Sequence, residues 1–173
     1  MPSFASCFPS RSTSDPLDSF DPLVSSSATV KGCVFCGASR EKGFGIVHAD
    51  DELIAFHDRT PRATVHLLII PRRHVVSSVR ELRNEHLTLL NSMRSLALTL
   101  VSSPSKMGFH VPPFSSVPHL HLHVFSGKHT FIGRFKYPIS RREKGEKGLG
   151  WFVTLDQVEK IIQNGGTVNL GRG

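Results

Sequence analysis

A chain of 173 residues is long enough for one domain with a substantial core, and no stretch approaches the roughly 18 consecutive apolar residues of a membrane-spanning helix. The formal charge of +7 suits anionic partners such as nucleotides, nucleic acid or acidic surfaces, and it serves solubility equally well. Three cysteines, with Cys33 and Cys36 as a Cys-x-x-Cys pair and Cys7 alone, do not form the even framework of a secreted disulfide scaffold; they point to a reducing compartment and to metal or redox chemistry.

Residues 1–30 are rich in Ser and Pro and cannot bury enough apolar surface to offset ordering, so a disordered tail is expected. That tail has neither the apolar core of a secretory signal nor the Arg-rich, acid-poor composition of a transit peptide, which implies a cytoplasmic or nuclear location. The folded part begins near Lys31 and runs to 173. Gly45–His48 and Glu52–Asp58 read as strands around the turn Ala49-Asp50-Asp51, and Val65–Ile70 reads as a third strand stopped by Pro71. Ser78-x-x-Glu81 has the form of a capping box. From Asn84, Leu87, Leu90, Met93, Ala97, Leu100 and Val101 recur at helical spacing, which predicts an amphipathic helix to about Ser103, ended before Pro104. Met107–Val111 is a fourth strand. Pro112, Pro113 and Pro118 make the next stretch a loop, and His119–Phe125 is the fifth strand. Six basic residues between Arg134 and Lys147, interleaved with glycines up to Gly150, predict a mobile basic loop. Trp151-Phe152-Val153 returns to apolar structure, and a second capping box, Thr154-x-x-Gln157, opens a short helix through Ile162 that Gly165-Gly166 stops. Strands, one long helix, then strands again indicate an α+β domain with an antiparallel sheet of about five strands, one long helix and one short one.

The chemistry concentrates in His119-Leu120-His121-Leu122-His123-Val124-Phe125. In an extended strand residues two apart share a face, so the three imidazoles would project to one side about 7 Å apart, with Leu120, Leu122 and Val124 buried on the other. One rival is a catalytic zinc held by three histidines. The ends of such a row lie about 13 Å apart, too far for one ion bound at about 2.0–2.1 Å, although two of the rings could share one. A nucleophilic role fits better. Neutral imidazole attacks phosphorus without a separate base, and the flanking histidines, backbone amides and hydroxyls supply donors for the phosphate oxygens. Ser115 and Ser116, in the loop leading to the triad, can reach a leaving group. Around Cys33 and Cys36 nothing resembles the βαβ context of a redox pair, so the pair is either half of a zinc site or two buried apolar thiols.

His119-x-His121-x-His123-Val124-Phe125 resembles the signature of the histidine triad (HIT) superfamily. Cys33-Val-Phe-Cys36, Ile54-Ala-Phe-His-Asp58 and His66-Leu-Leu-Ile-Ile-Pro-Arg-Arg-His74 resemble its other segments. Met107-Gly-Phe-His-Val-Pro-Pro-Phe is similar to a Hint-type branch of adenosine 5′-monophosphoramidases. The resemblance covers residues 31–163. It implies His121 as the nucleophile on the α-phosphorus of a purine nucleotide, with its Nδ1–H held by the His119 carbonyl. It implies His123 and Ser116 on the phosphate and leaving group, and His66 as support. It also implies Asp58 on the ribose hydroxyls, with Phe56 and Ile54 flanking the base or filling the core. The resemblance further implies a structural zinc on Cys33, Cys36, His74 and His119, no cofactor in catalysis, and a homodimer. Many relatives carry an asparagine and glycines before the triad, where this chain has a Pro-rich loop. Dinucleoside polyphosphate hydrolysis, DNA-adenylate hydrolysis and a slow nucleotide-binding scaffold are the alternatives. The cysteines and histidines of the zinc finger that accompanies the DNA-acting branch have no counterparts after His129.

Overall fold

The computed structural model describes residues 29–139 and 150–171, so the expected tail and the stretch 140–149 of the expected basic loop lie outside the described residues. The elements are β1 (Ile46–Ala49), β2 (Leu53–His57), β3 (Ala63–Pro71), α1 (Leu87–Leu100), β4 (Lys106–His110), β5 (Leu122–His129), α2 (Phe131–Lys136), β6 (Phe152–Thr154) and α3 (Leu155–Gln163). The strands form one antiparallel sheet in the order β1-β2-β3-β5-β4-β6. Phe152–Thr154 is thus a sixth strand, lying along the outer edge of β4. Among the described residues no helix is long and apolar enough to cross a membrane.

Period-two alternation sorts the side chains onto two faces. Leu53 and Ala55 of β2, Leu67 and Ile69 of β3, Phe109 of β4, Leu122 and Val124 of β5 and Val153 of β6 join Leu90, Met93 and Ala97 of α1 and Val158 and Ile162 of α3 in the main core. The opposite face carries Ile54, Phe56, Leu68 and Ile70, together with the histidines, and is covered by the segment from Cys33 to Phe44. The longer helices α1 and α3 therefore pack on one face only, and the other face holds the histidines.

The local signals act as their chemistry requires. Asp50 Oδ1 accepts from the Glu52 and Leu53 amides at 2.8 and 2.7 Å and so closes the β1–β2 turn. At α3 the Thr154 hydroxyl accepts from the Gln157 amide at 3.2 Å, and the Gln157 side chain accepts from the Thr154 amide at 3.0 Å. Ser78-x-x-Glu81 opens only a single 3-10 turn, Val79–Glu81, in which the serine hydroxyl donates to the glutamate instead of capping the backbone. The long helix starts at Leu87, after a separate 3-10 turn over Asn84–His86.

Two expectations are corrected. The triad strand runs from Leu122 to His129, not from His119 to Phe125. The amides of His119 and Leu120 donate to the Val117 and Val76 carbonyls, which withdraws this stretch from the sheet ladder. The alternation of side chains persists regardless, since Leu120 joins Leu122 and Val124 in the helix-side core. Arg134 and Lys136 lie in α2, not in a loop. Thr130 caps that helix, its hydroxyl accepting from the Gly133 amide at 3.0 Å, and a Cβ at Gly133 would come within 2.4 Å of the Arg62 carbonyl oxygen.

Candidate active site

The triad rings divide between two neighbouring sites. His119 turns its ring toward the Cys33–Cys36 turn, with Nδ1 at 3.5 Å from Cys33 Sγ and 3.8 Å from Cys36 Sγ, while His74 Nδ1 lies 3.5 Å from Cys36 Sγ. All four ligand atoms lie within 4.8 Å of one another, and neither cysteine is in a disulfide. The remaining ring nitrogens are spoken for. His119 Nε2–H donates to the Pro71 carbonyl at 2.9 Å, and His74 Nε2 faces the Ser77 hydroxyl at 3.3 Å. His119 Nδ1 is thereby left as a lone pair aimed at the thiols, and the Ser77 hydroxyl holds the His74 ring from behind, the outer arrangement that orients histidine ligands on a metal.

His121 and His123 lie in a cavity of about 770 Å³ on the open sheet face, a size that admits a nucleotide. His121 Nδ1–H donates to the His119 carbonyl at 2.6 Å, so its Nε2 carries the lone pair. Burial holds the ring below its ordinary pKa, opposed by that carbonyl and by Asp58, and keeps it neutral. The Phe35 ring centre lies 5.5 Å from that of His121 and 5.4 Å from that of Phe56, both edge to face, and Phe44 meets Phe56 edge to face at 4.9 Å. These rings form an apolar wall. Lys42, Arg59 and Lys136 border the same cavity and make it receptive to an anion.

The sequence-derived residues are placed as follows. His66 is buried on β3 with Nε2 at 3.0 Å from His123 Nδ1. Asp58 follows β2 and lines the cavity; one oxygen accepts from the Thr60 amide at 2.7 Å and the other lies 3.5 Å from His66 Nε2. Ser116 lines the cavity with its side chain exposed, whereas Ser115 donates to the Val117 carbonyl. Phe56 lines the cavity. Ile54 does not: it is buried in the apolar cluster with Phe35 and Ile70, and the core reading of that residue is the one its position supports.

Several cavity residues have no role in the sequence reading, among them Phe35, Phe44, Lys42, Arg59, His110 and Tyr137, while Lys136 figures there only as part of the basic segment. His110 is visible in retrospect as the polar residue between Phe109 and Val111 on a strand of otherwise apolar character. On β4 it lies diagonally across from the triad strand, since Gly108 pairs with His123. Its Nδ1 lies 3.2 Å from His123 Nε2 and its Nε2 lies 3.1 Å from the Lys136 carbonyl oxygen. Burial is the main cause that lowers the pKa of His110 and of His66 to about 4, and it also holds that of His123 well below its ordinary value. Burial raises Tyr137, the chain's single tyrosine, so its phenol stays protonated. Asp58, His66 and His123 also bring ligand atoms within 4.8 Å of one another, but hydrogen bonding explains this cluster. The Arg62 amide donates to His66 Nδ1 at 3.3 Å, which puts the proton of the neutral ring on Nε2, the atom a metal would need.

Residues 32–136 match the family model described as scavenger mRNA decapping enzyme C-term binding. The adenosine 5′-monophosphoramidase HINT3 of Mus musculus is 34% identical over 158 residues, which cover 82% of this chain and 92% of that protein. The bifunctional adenosine 5′-phosphosulfate phosphorylase/adenylylsulfatase HINT4 of Arabidopsis thaliana is 38% identical over 140 residues, 76% of this chain and 92% of that protein. Among solved structures, a HIT family hydrolase from Clostridium thermocellum matches with a TM-score of 0.52 at 28% identity, covering 58% of this chain and 94% of the other. The order of elements, the alternating histidines and these likenesses lead to one assignment: the chain belongs to the histidine triad superfamily, as a hydrolase of that family.

Proposed function

We propose that the protein cleaves the P–N bond of purine nucleoside 5′-phosphoramidates and releases the nucleoside monophosphate. The observation that carries this reading is the 2.6 Å bond from His121 Nδ1–H to the His119 carbonyl, which leaves Nε2 as an unprotonated nucleophile facing a nucleotide-sized cavity. Nε2 of His121 forms a bond to the α-phosphorus as the P–N bond breaks, and the departing amine takes up a proton with help from the Ser116 hydroxyl. Water then cleaves the nucleotidyl-histidine and restores the ring. His123 presents its N–H to the phosphate oxygens, and His66 supports His123. Phe35, Phe44 and Phe56 enclose the base, and Asp58 takes the ribose hydroxyls. Catalysis requires no cofactor.

Cys33, Cys36, His74 and His119 fit a structural zinc: two sulfurs and two imidazole nitrogens converge, and both rings are contacted from behind. When bound, the ion ties the N-terminal segment to the sheet and takes no part in bond cleavage. The protein is further read as a homodimer, by likeness to Hint-type relatives.

A second reading concerns the leaving group. Lys136 at the cavity edge and the adenylylsulfatase activity for which the Arabidopsis relative is named favour an anionic leaving group, such as sulfate, on the same nucleotidyl transfer. The test is to incubate the protein with adenosine 5′-phosphoramidate, adenylyl sulfate and diadenosine polyphosphate, and to look by mass spectrometry for a nucleotidyl adduct on quenched enzyme. The adduct is expected on His121, and His121→Ala is expected to lose at least about 10³-fold in kcat. Equal rates in wild type and His121→Ala would refute the proposal.

A further inference from the structure

The reading above uses His121, His123 and His66 but gives no role to a fourth buried imidazole beside them, His110. We propose that His110 is a positioning residue that holds His123 with its one ring proton on Nε2, turned toward the cavity. This inference rests on the proposed nucleotidyl transfer for its kinetic consequence, but not for its geometry.

The argument starts from two backbone groups whose polarity is not negotiable. At one end the Arg62 amide can only donate, and it points at His66 Nδ1 at 3.3 Å. At the other end the Lys136 carbonyl can only accept, and it faces His110 Nε2 at 3.1 Å. All three rings are buried. Burial favours the neutral form of each, so each ring has one N–H and one lone pair. From the first end, His66 Nδ1 accepts, so Nε2 is protonated and donates to His123 Nδ1 across 3.0 Å. His123 then carries its proton on Nε2 and donates to His110 Nδ1 across 3.2 Å. From the second end, His110 must have its proton on Nε2 and its lone pair on Nδ1, which again requires the proton of His123 to sit on Nε2. The two ends, on different elements, impose the same direction on the whole row.

Three strands supply the row. His66 on β3 and His110 on β4 flank His123 on β5 and lie on the same sheet face. Ring contacts hold the planes in place: His110 lies 4.7 Å from the Tyr137 ring and 4.9 Å from the His123 ring. His110 and His123 both line the cavity. In the free protein His110 Nδ1 occupies the hydrogen that a phosphate oxygen would take over, so the donor is aligned before the ligand arrives. His66 sets which nitrogen of His123 is protonated, and His110 sets where that N–H points.

The experiment uses the full chain and the variants His110→Phe, which keeps a ring of similar volume with neither donor nor acceptor, and His110→Gln, which keeps one of each. Long-range proton–nitrogen correlation spectra of the ligand-free protein report each imidazole tautomer and the exchange of its N–H. The expected result is an unprotonated Nδ1 and a slowly exchanging Nε2–H at His123 in wild type and in His110→Gln. In His110→Phe that Nε2–H should exchange rapidly. Phosphoramidate turnover should show a kcat about 10–100-fold lower in His110→Phe, the usual scale for losing an orienting partner, with KM much less affected, and substantial recovery in His110→Gln. A proton on Nδ1 of His123, or an equally protected Nε2–H in His110→Phe, would overturn the proposal. If wild type turns over no phosphoramidate, the proposed activity fails, and the spectra still decide the role of His110.

Discussion

Acidification from pH 7 to pH 5 should destabilise the fold through the buried histidines, and His110 allows the size to be worked out. Its ordinary pKa of 6.5 falls to about 4 on burial. Because the folded value is the lower one, the unfolded chain binds more protons between these limits. The stability this ring contributes is fully present above pH 6.5 and is lost as pH falls toward 4. At pH 5 the unfolded ring is almost fully protonated and the folded ring almost fully neutral. The loss is therefore about 1.5 pH units at roughly 1.4 kcal/mol per unit, or about 2 kcal/mol. His66, also lowered to about 4, and His123 act in the same direction. Asp50, held at about 2 chiefly by the His48 side chain, loses its contribution only below its ordinary 3.8 and stays outside the interval. Against a typical domain stability of 5–15 kcal/mol the effect is large. Urea unfolding at pH 7 and pH 5, followed by circular dichroism with EDTA present throughout, gives the pH-dependent loss for wild type and for His110→Phe. The variant should lose about 2 kcal/mol less than wild type over the interval. Equal losses would show that His110 does not titrate in this window and would refute the reasoning.

Gly108→Ala should cost about 1–3 kcal/mol in urea unfolding, because the new Cβ would lie 2.2 Å from the Val153 carbonyl oxygen and 2.8 Å from the Phe152 ring, both fixed in the β4–β6 pair. Purified protein should carry about one zinc per chain by elemental analysis, and Cys33→Ser should lose the metal together with several degrees of melting temperature; metal-free wild type of unchanged stability would contradict the site. Arg94 spans α1 and α3, 2.6 Å from Asp156 and 2.7 Å from Glu159, but the Asp156 side chain is 79% exposed. Arg94→Ala should therefore cost only about 1 kcal/mol, and less at 1 M salt. A loss of 3 kcal/mol that ignores salt would show the contact to be far more shielded than its exposure implies.

Much of this could be read from the chain because its signals are periodic. Leu67 and Ile69 against Leu68 and Ile70, and Leu120, Leu122 and Val124 against the histidines, assign faces without knowledge of partners. The α3 capping box is equally explicit, since both halves are local hydrogen bonds. What failed depended on distant atoms. The triad strand starts late because Val76, far away in sequence, accepts the Leu120 amide. Helix α2 was hidden among basic residues, its start set by one threonine hydroxyl, and with it went Lys136 and Tyr137. His110 stood in plain view in a predicted strand. Its neighbours across the sheet give it meaning, and diagonal pairing is not encoded at any fixed sequence spacing.

Phe35 has a consequence for how the cavity breathes. It sits between Cys33 and Cys36 yet places its ring 6.0 Å from His119 and 5.5 Å from His121. The enclosure of the His121 ring is thus supplied from outside the six-stranded sheet, by a turn held through thiol and aromatic contacts instead of ladder hydrogen bonds. Local opening of that turn would bare the imidazole to water while every strand stayed paired, so exposure of the cavity and global unfolding are separable events with separate free energies.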